Sequence, residues 1–228
     1  MDEASNKGVV LLAAAGNDGN NNDDPSSAIF PASLDSLNLI SVAASDAEDG
    51  LAGFSNFGES SVDLSAPGVF ILSTYPSVGG ESKFNYLSGT SMATPYVAGT
   101  AAMMLNKNSA LTGFEIKQLL LENTDGVEDF GDVLSTGGRL SFTKSFEKAQ
   151  DTTSTGFQPQ VQTSGESREL ASSSSESSED GGGGCGMVGP NSGTPPSGPM
   201  GFLFIFMLPL MVFALLKSRE PTFSLGRF

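Results

Sequence analysis

The composition of this 228-residue chain excludes several kinds of active site before any motif is considered. It contains 0 histidines, so the chain alone cannot complete a Ser-His-Asp triad or a histidine-ligated zinc site. Its single cysteine excludes an intrachain disulfide and a cysteine metal cluster, so no metal ligands are assigned. The formal charge of −15 repels phosphate, and we therefore expect no nucleic-acid partner.

Residues 1–150 show apolar runs typical of alternating strands and helices. Gly8–Ala15 is a continuous apolar run, which predicts a strand buried on both faces, as in a parallel sheet. Leu37–Ala44 and Val69–Thr74 are predicted to be further strands of this kind. Ser91–Leu105 is apolar around most of its circumference and predicts a buried helix. Pro95 is compatible with this helix if it lies in the first turn, where N–H groups have no intrahelical partner.

The last part of this predicted domain contains a second helix and a short strand. Thr112-Gly-Phe-Glu115 has the pattern of a capping box and marks the start of the helix. Gly138-Arg139-Leu140 predicts a short strand or turn, and an amphipathic stretch follows from Phe142 to Ala149. We therefore expect an α/β fold, with helices on both faces of a parallel sheet.

Three segments follow the predicted domain. Residues 151–199 are rich in Ser, Gly, Glu and Pro, which predicts a disordered linker. Residues 200–217 are hydrophobic, and Gly201–Leu216 would form a helix of roughly 24 Å, short for a hydrocarbon core of about 30 Å unless Lys217 and Arg219 snorkel. We expect a membrane anchor or envelope-sorting segment here, with a basic tail at residues 218–228. The domain would then lie at the cell envelope or on the extracellular face.

The N-terminus does not supply the targeting signal that such an anchor requires. Residues 1–7 are polar and do not form a signal peptide, so we expect that Met1 is not the natural start. Cys185 lies in a glycine-rich stretch before the hydrophobic segment. It is interpreted either as a processing or attachment point or as an unreactive linker thiol.

Two short segments contain residues suited to catalysis. In Ser88-Gly-Thr-Ser-Met-Ala-Thr-Pro95, Ser91 lies at the positive end of the predicted buried helix, where negative charge is favoured. It is either a nucleophile, with its own N–H as an oxyanion donor, or part of a helix cap together with Thr90. In Ala13-Ala-Ala-Gly-Asn17, Asn17 ends a buried parallel strand. It is either an oxyanion donor or part of a turn.

Together these segments resemble the subtilisin-like serine proteases. Gly89–Pro95, read as Gly-Thr-Ser-Met-Ala-Thr-Pro, is similar to the family's nucleophile motif, and Ala14–Asn17, read as Ala-Ala-Gly-Asn, is similar to its oxyanion motif. Three further segments match in the family's order: Phe54-Ser-Asn-Phe-Gly58, Leu64-Ser-Ala-Pro-Gly68 and Gly138-Arg139-Leu140. The resemblance extends from about Gly8 to about Ala149. It implies the C-terminal part of a subtilisin-like peptidase domain, with a parallel sheet that is incomplete in this chain.

This resemblance implies a serine endopeptidase that acts on polypeptide substrates. Ser91 would be the nucleophile, and the Ser91 N–H and the Asn17 amide would stabilise the oxyanion. Three residues would line the pocket for the residue before the scissile bond, and two would border the approach to the nucleophile. The first group is Ala14, Ala15 and Gly16, and the second is Gly89 and Thr90.

The family's order of triad residues is Asp, His, Ser, and neither the Asp nor the His can be assigned here. We therefore expect the isolated chain to be inactive. Sedolisin-type peptidases need no histidine, but Asn17 and Met92-Ala-Thr94 argue against them. A non-catalytic, membrane-tethered pseudoprotease that acts as a binding module remains the alternative function.

A polar loop after Asn17 raises the question of a metal. It contains five oxygen-bearing side chains: Asp18, Asn20, Asn22, Asp23 and Asp24. Related proteases often bind calcium, whereas the loop has no defined ligand spacing such as that of an EF-hand. No cofactor is assigned, and calcium and a polar surface loop stay open as interpretations.

Overall fold

Helices and strands alternate along residues 1–76 and 83–160, the part of the chain that the computed structural model describes. The helices of this part are α1 (Asp2–Asn6), α2 (Thr90–Lys107), α3 (Gly113–Glu122) and α4 (Phe142–Asp151). The strands are β1 (Leu11–Ala14), β2 (Leu39–Ser45), β3 (Leu64–Pro67), β4 (Ile71–Tyr75), β5 (Lys83–Leu87), β6 (Asp125–Gly126) and β7 (Gly138–Arg139). This alternation confirms the predicted α/β class.

A five-stranded sheet in the order β1-β2-β3-β7-β6 forms the centre of the fold. β1, β2, β3 and β7 are parallel, with Leu11 opposite Leu39 and Val42 opposite Leu64. β6 pairs antiparallel with β7 at one edge. The predicted strands at Gly8–Ala15 and Leu37–Ala44 are confirmed as β1 and β2, with β1 shorter than expected.

Apolar residues are buried on both faces of β1 and β2, because other elements cover each face. On one face Leu12 and Ile40 belong to the main core cluster, which includes Met104 of α2. On the other face Leu11 and Leu39 belong to a smaller cluster that α1 covers. The continuous apolar runs in the sequence follow from this two-sided burial, as in other parallel sheets. The longest helix, α2, contacts β1, β2 and β3, and α3 and α4 pack beside it.

The prediction of a third buried strand at Val69–Thr74 is wrong. Val69–Thr74 becomes β4, which pairs antiparallel with β5 in a separate two-stranded hairpin and is mostly exposed. The third place in the sheet is taken by β3, which ends immediately before Gly68. A Cβ on Gly68 would lie 2.5 Å from the Cβ of Ala44. The chain leaves the sheet at this close approach, so the apolar run after it projects away from the core.

Pro95 lies deeper in its helix than the sequence analysis assumed. α2 begins at Thr90, so Pro95 lies beyond the first turn, and the helix nevertheless continues to Lys107. Proline has no N–H, and the Ser91 carbonyl therefore cannot accept the usual hydrogen bond from the residue four positions later. The predicted helix is confirmed, but the explanation given for its proline is wrong.

The predicted capping box is present at the start of α3. Thr112 Oγ1 accepts a hydrogen bond of 3.2 Å from Glu115 N, and Glu115 Oε2 accepts one of 2.8 Å from Thr112 N. Burial by itself raises the pKa of Glu115, but hydrogen bonds from the Thr112 N–H and from two residues of the following segment outweigh it and lower the pKa to about 2. Glu115 is therefore ionised at neutral pH and holds several donors together.

The donors beyond the capping box come from residues 152–160, here called the C-terminal strap. Ser154 Oγ donates to Glu115 Oε2 at 2.7 Å, and Thr155 N donates to Glu115 Oε1 at 2.8 Å. Gln158 Nε2 donates to Asn38 Oδ1 at 3.2 Å, close to β2. We expected a disordered linker from residue 151, whereas α4 ends at residue 151 and the strap packs on the domain.

The remaining C-terminal predictions concern residues outside the described part. These are the rest of the linker, Cys185, the hydrophobic segment 200–217 and the basic tail 218–228. Within residues 1–76 and 83–160, no helix combines the length and apolar character needed to cross a membrane.

Candidate active site

Ser91 lies at the N-terminal end of the longest helix in the described part of the chain. α2 begins at Thr90 with Gly89 as its N-cap, so Ser91 is the second helical residue, and it is half-buried. Met92 N donates to Gly89 O at 2.9 Å, which closes the first turn. A helix N-terminus of this length carries a partial positive charge and directs backbone N–H groups outward. The position therefore suits a group that becomes negatively charged.

Asn17 follows β1 and is fixed against the same helix terminus. Its Oδ1 accepts hydrogen bonds from Thr90 N at 2.9 Å and from Thr90 Oγ1 at 3.0 Å. These two donors orient the carboxamide, because an oxygen accepts hydrogen bonds and the Nδ2 group donates them. Asn17 Nδ2 lies 3.5 Å from the position that a Cβ on Gly89 would take. The two segments singled out in the sequence are therefore in contact.

Thr90 has a different place from the one predicted for it. It was expected to border the approach to the nucleophile, but it is fully buried and contacts Asn17 and Gly16. Thr94 Oγ1 donates to the Thr90 carbonyl at 2.8 Å. Thr90 thus lies beneath the turn that carries Ser91 and positions Asn17, and Gly89 is also buried, with its Cα facing Asn17.

Gly16 allows the strand end and the helix terminus to come together. Gly16 N donates to Thr90 Oγ1 at 3.3 Å, and the residue has a φ of 118°, which side chains rarely tolerate. A Cβ on Gly16 would lie 2.5 Å from Asn56 Nδ2. The glycine of the Ala-Ala-Gly-Asn motif is therefore required by both the backbone conformation and the space.

Two buried asparagines fix the loop after Asn17, and their role was missed. Asn56 Oδ1 accepts from Asp18 N at 2.8 Å, and Asn56 Nδ2 donates to Asn22 Oδ1 at 3.0 Å. Asn22 Nδ2 in turn donates to Ala15 O at 2.8 Å. The Phe54-Ser-Asn-Phe-Gly58 match contained the signal for Asn56, but nothing in the sequence placed this segment beside the strand end.

The nucleophile turn is also fastened to the end of β3. Gly89 N donates to Gly68 O at 2.8 Å, and Phe70 N donates to Ser88 Oγ at 2.9 Å. The turn that carries Ser91 therefore lies between two anchored segments. One comes from the end of β1 and the other from the end of β3.

Of the residues predicted to line a substrate pocket, only some lie where their side chains could do so. Ala14 is half-buried at the end of β1. Ala15 is fully buried in a third cluster with Ala43 and Phe130, so its methyl group does not line an open surface. Gly16 is buried and contributes backbone alone.

In the oxygen-rich loop, three side chains accept hydrogen bonds from other groups of the protein. Asn22 is buried and accepts from Asn56, Asp23 Oδ2 accepts from Ser60 N at 3.1 Å, and Asp24 Oδ1 accepts from Ser26 N at 2.8 Å. Within the described residues, no group of three or more His, Cys, Asp or Glu side chains could hold a metal ion. Calcium binding by this loop stays a prediction.

A groove of about 460 Å³ lies along α2, away from the nucleophile. Tyr96, Met103 and Phe142 line it, and all three are exposed. This groove contains neither Ser91 nor Asn17. It also shows that α2 is open to solvent on one side, whereas the sequence predicted burial nearly all round.

Known proteins resemble this chain in sequence. The model of the subtilase family, Peptidase_S8, matches residues 1–168. A thermophilic serine proteinase from Bacillus sp. (strain AK1) is 41% identical over 112 residues, which cover 49% of this chain and 26% of that protein. Subtilisin DY from Bacillus licheniformis is 38% identical over 100 residues, which cover 44% of this chain and 34% of that protein. This chain therefore belongs to the subtilase family.

Solved structures show the same fold. A chain from a structure of subtilase cytotoxin SubAB assembly superimposes with a TM-score of 0.53 and 30% identity, over 62% of this chain and 49% of that one. A protease from Pseudoalteromonas arctica PAMC 21717 superimposes with a TM-score of 0.53 and 29% identity, over 61% of this chain and 42% of that one. The chain thus spans less than half of these solved chains and about a third or less of the two curated relatives.

Proposed function

We propose that this chain carries the nucleophile and the oxyanion donors of a serine endopeptidase. The observation that carries the proposal is the pair of hydrogen bonds from Thr90 to Asn17 Oδ1, which fixes a carboxamide beside the helix terminus that bears Ser91. Membership of the subtilase family and the similarity to serine proteinases support it. Polypeptides are the proposed substrates.

In the proposed reaction, Ser91 Oγ attacks the carbonyl carbon of a peptide bond and gives its proton to a general base. The carbonyl π electrons move to the oxygen, and the Ser91 N–H and Asn17 Nδ2 donate hydrogen bonds to this oxyanion. The C–N bond then breaks, the amine takes the proton from the base, and Ser91 is left acylated. Water, activated by the same base, releases the acyl group and restores the serine.

The general base has to come from outside these 228 residues if it is a histidine, because the chain contains 0 of them. The proposed nucleophile and the proposed oxyanion donors all lie within the described residues. We therefore expect the isolated chain to hydrolyse no peptide bonds and the site to function only when a base is supplied.

The test is covalent labelling of Ser91 in the protein as its own cell makes it. A biotinylated fluorophosphonate should modify Ser91, identified by mass spectrometry in the tryptic peptide 84–107. Ser91→Ala should abolish labelling, whereas Ser109→Ala, at an exposed position in the loop after α2, should leave it unchanged. Asn17→Ala should slow cleavage of casein by about 10²–10³, the loss known for such a donor in a subtilisin.

A second candidate function is supported by the same absence of histidine. The chain would then be a non-catalytic binding module that keeps the subtilase fold. Unlabelled Ser91 in the natural protein, together with unchanged casein cleavage in Ser91→Ala, would favour this candidate and contradict the peptidase. An anchored position at the cell envelope stays a prediction for either function.

A further inference from the structure

Asn56 contacts the chain on both sides of Asn17, the proposed oxyanion donor. Asn56 N donates at 3.0 Å to Gly16 O, the carbonyl of the peptide group before Asn17. Asn56 Oδ1 accepts at 2.8 Å from Asp18 N, the N–H of the peptide group after Asn17. These two peptide planes define φ and ψ of Asn17. One residue therefore holds the backbone conformation from which the Asn17 side chain projects.

The orientation of the Asn56 side chain is in turn fixed by Asn22. Asn56 Nδ2 donates to Asn22 Oδ1 at 3.0 Å, and Asn22 Nδ2 donates to Ala15 O at 2.8 Å, which leads back to the end of β1. Asn56 is 0% exposed and Asn22 is 3% exposed. A buried amide group that loses its partner carries the full cost of desolvation, so this network favours a single arrangement of both carboxamides.

The turn that follows Asn17 depends on the same segment. Asp18, Gly19 and Asn20 are exposed, and exposed loops move more than the elements they connect. Asn56 Oδ1 accepts a second hydrogen bond from Asn20 N at 3.1 Å, and Gly19 N donates to Phe54 O at 2.9 Å. The buried segment that contains Asn56 thus braces a surface turn whose first residue follows Asn17 directly.

Thr90 and Asn56 hold different parts of Asn17. Thr90 donates two hydrogen bonds to Oδ1 at the tip of the side chain, whereas Asn56 holds the peptide groups at its base. With tip and base both held, the direction of Asn17 Nδ2 is set before any substrate binds. This matters because a donor stabilises an oxyanion only at a distance of about 2.7–3.1 Å, and a displacement of about 1 Å can lower the rate about 10²-fold.

We propose that Asn56 is a positioning residue for the oxyanion donor, and that it acts on the rate of peptide cleavage through Asn17 without touching the reacting atoms. This inference rests on the proposed peptidase function, because it takes Asn17 as an oxyanion donor. The oxyanion forms only on the way to the transition state, so loss of Asn56 should lower kcat and leave KM unchanged.

Steady-state kinetics of variants produced in the protein's own cell test the proposal. The substrate is a fluorogenic peptide copied from a casein site that the parent cleaves, and kcat is calculated per active site from the fraction of Ser91 labelled by fluorophosphonate at saturation. Asn56→Ala should lower kcat by about tenfold. Asn38→Ala is the matched control, because Asn38 is also 0% exposed but donates to Val9 O at the opposite end of the strands. It should reduce stability and leave kcat per active site unchanged.

A double-mutant cycle separates action through Asn17 from a general structural effect. In protein that already carries Asn17→Ala, Asn56→Ala should cause no further loss of kcat, because the donor that Asn56 positions is gone. Asn56→Asp keeps the shape and the accepting oxygen but, when ionised, cannot donate to Asn22. Its kcat should lie between those of the parent and Asn17→Ala, and it takes the place of Asn56→Ala in the cycle if that variant does not fold.

Three results would overturn the proposal. They are an unchanged kcat per active site in the Asn56 variants, an equal fold-loss with and without Asn17, and an equal loss in Asn38→Ala. An Asn17→Ala variant that keeps the kcat of the parent would overturn it as well, since Asn17 would then not be the donor.

The two proposals can be told apart when they fail. If Ser91 is labelled and Asn17→Ala slows cleavage while the Asn56 variants match the parent, the peptidase stands and the inference is wrong. If Ser91 is unlabelled in the parent and casein is not cleaved, the peptidase is wrong and the inference falls with it.

Discussion

The two segments that flank Ser91 in three dimensions are packed in opposite ways. On the β1 side, Gly16, Thr90 and Asn56 are buried and hydrogen-bonded to one another or to their neighbours. On the β3 side, the hairpin leaves the core and exposes Leu72 and Tyr86. The residues that position Asn17 are enclosed, whereas large apolar side chains of the hairpin are left at the surface. Substitutions on the β1 side should therefore lower the free energy of unfolding more than substitutions of the exposed hairpin side chains.

The largest expected effect on stability is that of Gly16→Ala. The new Cβ would lie 2.5 Å from Asn56 Nδ2 on a backbone with a φ of 118°, so strain and overpacking add. We expect the free energy of unfolding to fall by about 4 kcal/mol, measured by urea titration. Gly53→Ala is the matched control, because no atom lies within 4 Å of the new Cβ. Equal stability of the two variants would show that the strand end is not fixed as described.

Thr90→Val should have the next largest effect. The substitution keeps the shape but removes the hydroxyl that donates to Asn17 Oδ1 at 3.0 Å and accepts from Gly16 N. We expect a loss of about 1–2 kcal/mol in unfolding free energy and slower fluorophosphonate labelling of Ser91 in the natural protein. Thr100→Val on the same helix removes a hydroxyl that contacts only Tyr96 O among the contacts described. If both variants label equally fast, Thr90 does not position the oxyanion donor.

Glu115→Gln should have a smaller and pH-dependent effect, away from both segments. The folded pKa of about 2 lies below the model-peptide value of 4.5, so ionised Glu115 stabilises the fold above pH 4.5. This contribution is lost as the pH falls towards 2, and because the carboxylate is largely solvated it amounts to about 1 kcal/mol at pH 7. Urea titrations of parent and variant should differ at pH 7 and converge near pH 2. Glu122→Gln, at the exposed end of α3, is the control and should match the parent in stability at both pH values.

Leu72→Ser, on the hairpin side of the comparison, should have the smallest effect on stability. Its side chain is 53% exposed, so we expect a change within about 0.5 kcal/mol, measured as a thermal unfolding midpoint. A loss of stability as large as that of Thr90→Val would mean that Leu72 is part of the core.

Strands β1 and β2, helices α2 and α3 and the capping box were predicted correctly because each has a local signal. Continuous apolar runs marked the strands, and Thr112 with Glu115 marked the start of α3. The hairpin was predicted wrongly because an apolar run has the same appearance whether it is buried or exposed. Val69–Thr74 contains the residues of a buried strand, but the chain leaves the sheet after β3 and enters the separate hairpin.

Predictions about the site divide in the same way, into features with a local sequence signal and features without one. Ser91 and Asn17 were singled out from two motifs, and in the structure the two segments are joined by hydrogen bonds from Thr90 to Asn17. The buried position of Thr90 and the roles of Asn22 and Asn56 were not predicted, because each depends on residues more than thirty positions away in the chain. Periodicity and capping patterns report only on neighbours along the helix or strand.

The sequence by itself determined the α/β class, the family and the two residues on which the proposed chemistry depends, because short motifs and apolar periodicity are local properties. Tertiary structure alone decided that Thr90 lies beneath Asn17, that residues 152–160 pack against α3, and that the β4–β5 hairpin is mostly exposed. The physical reason is that burial and hydrogen bonding between distant segments depend on how the strands are ordered. That order places the end of β1 and the end of β3 on either side of one helix terminus.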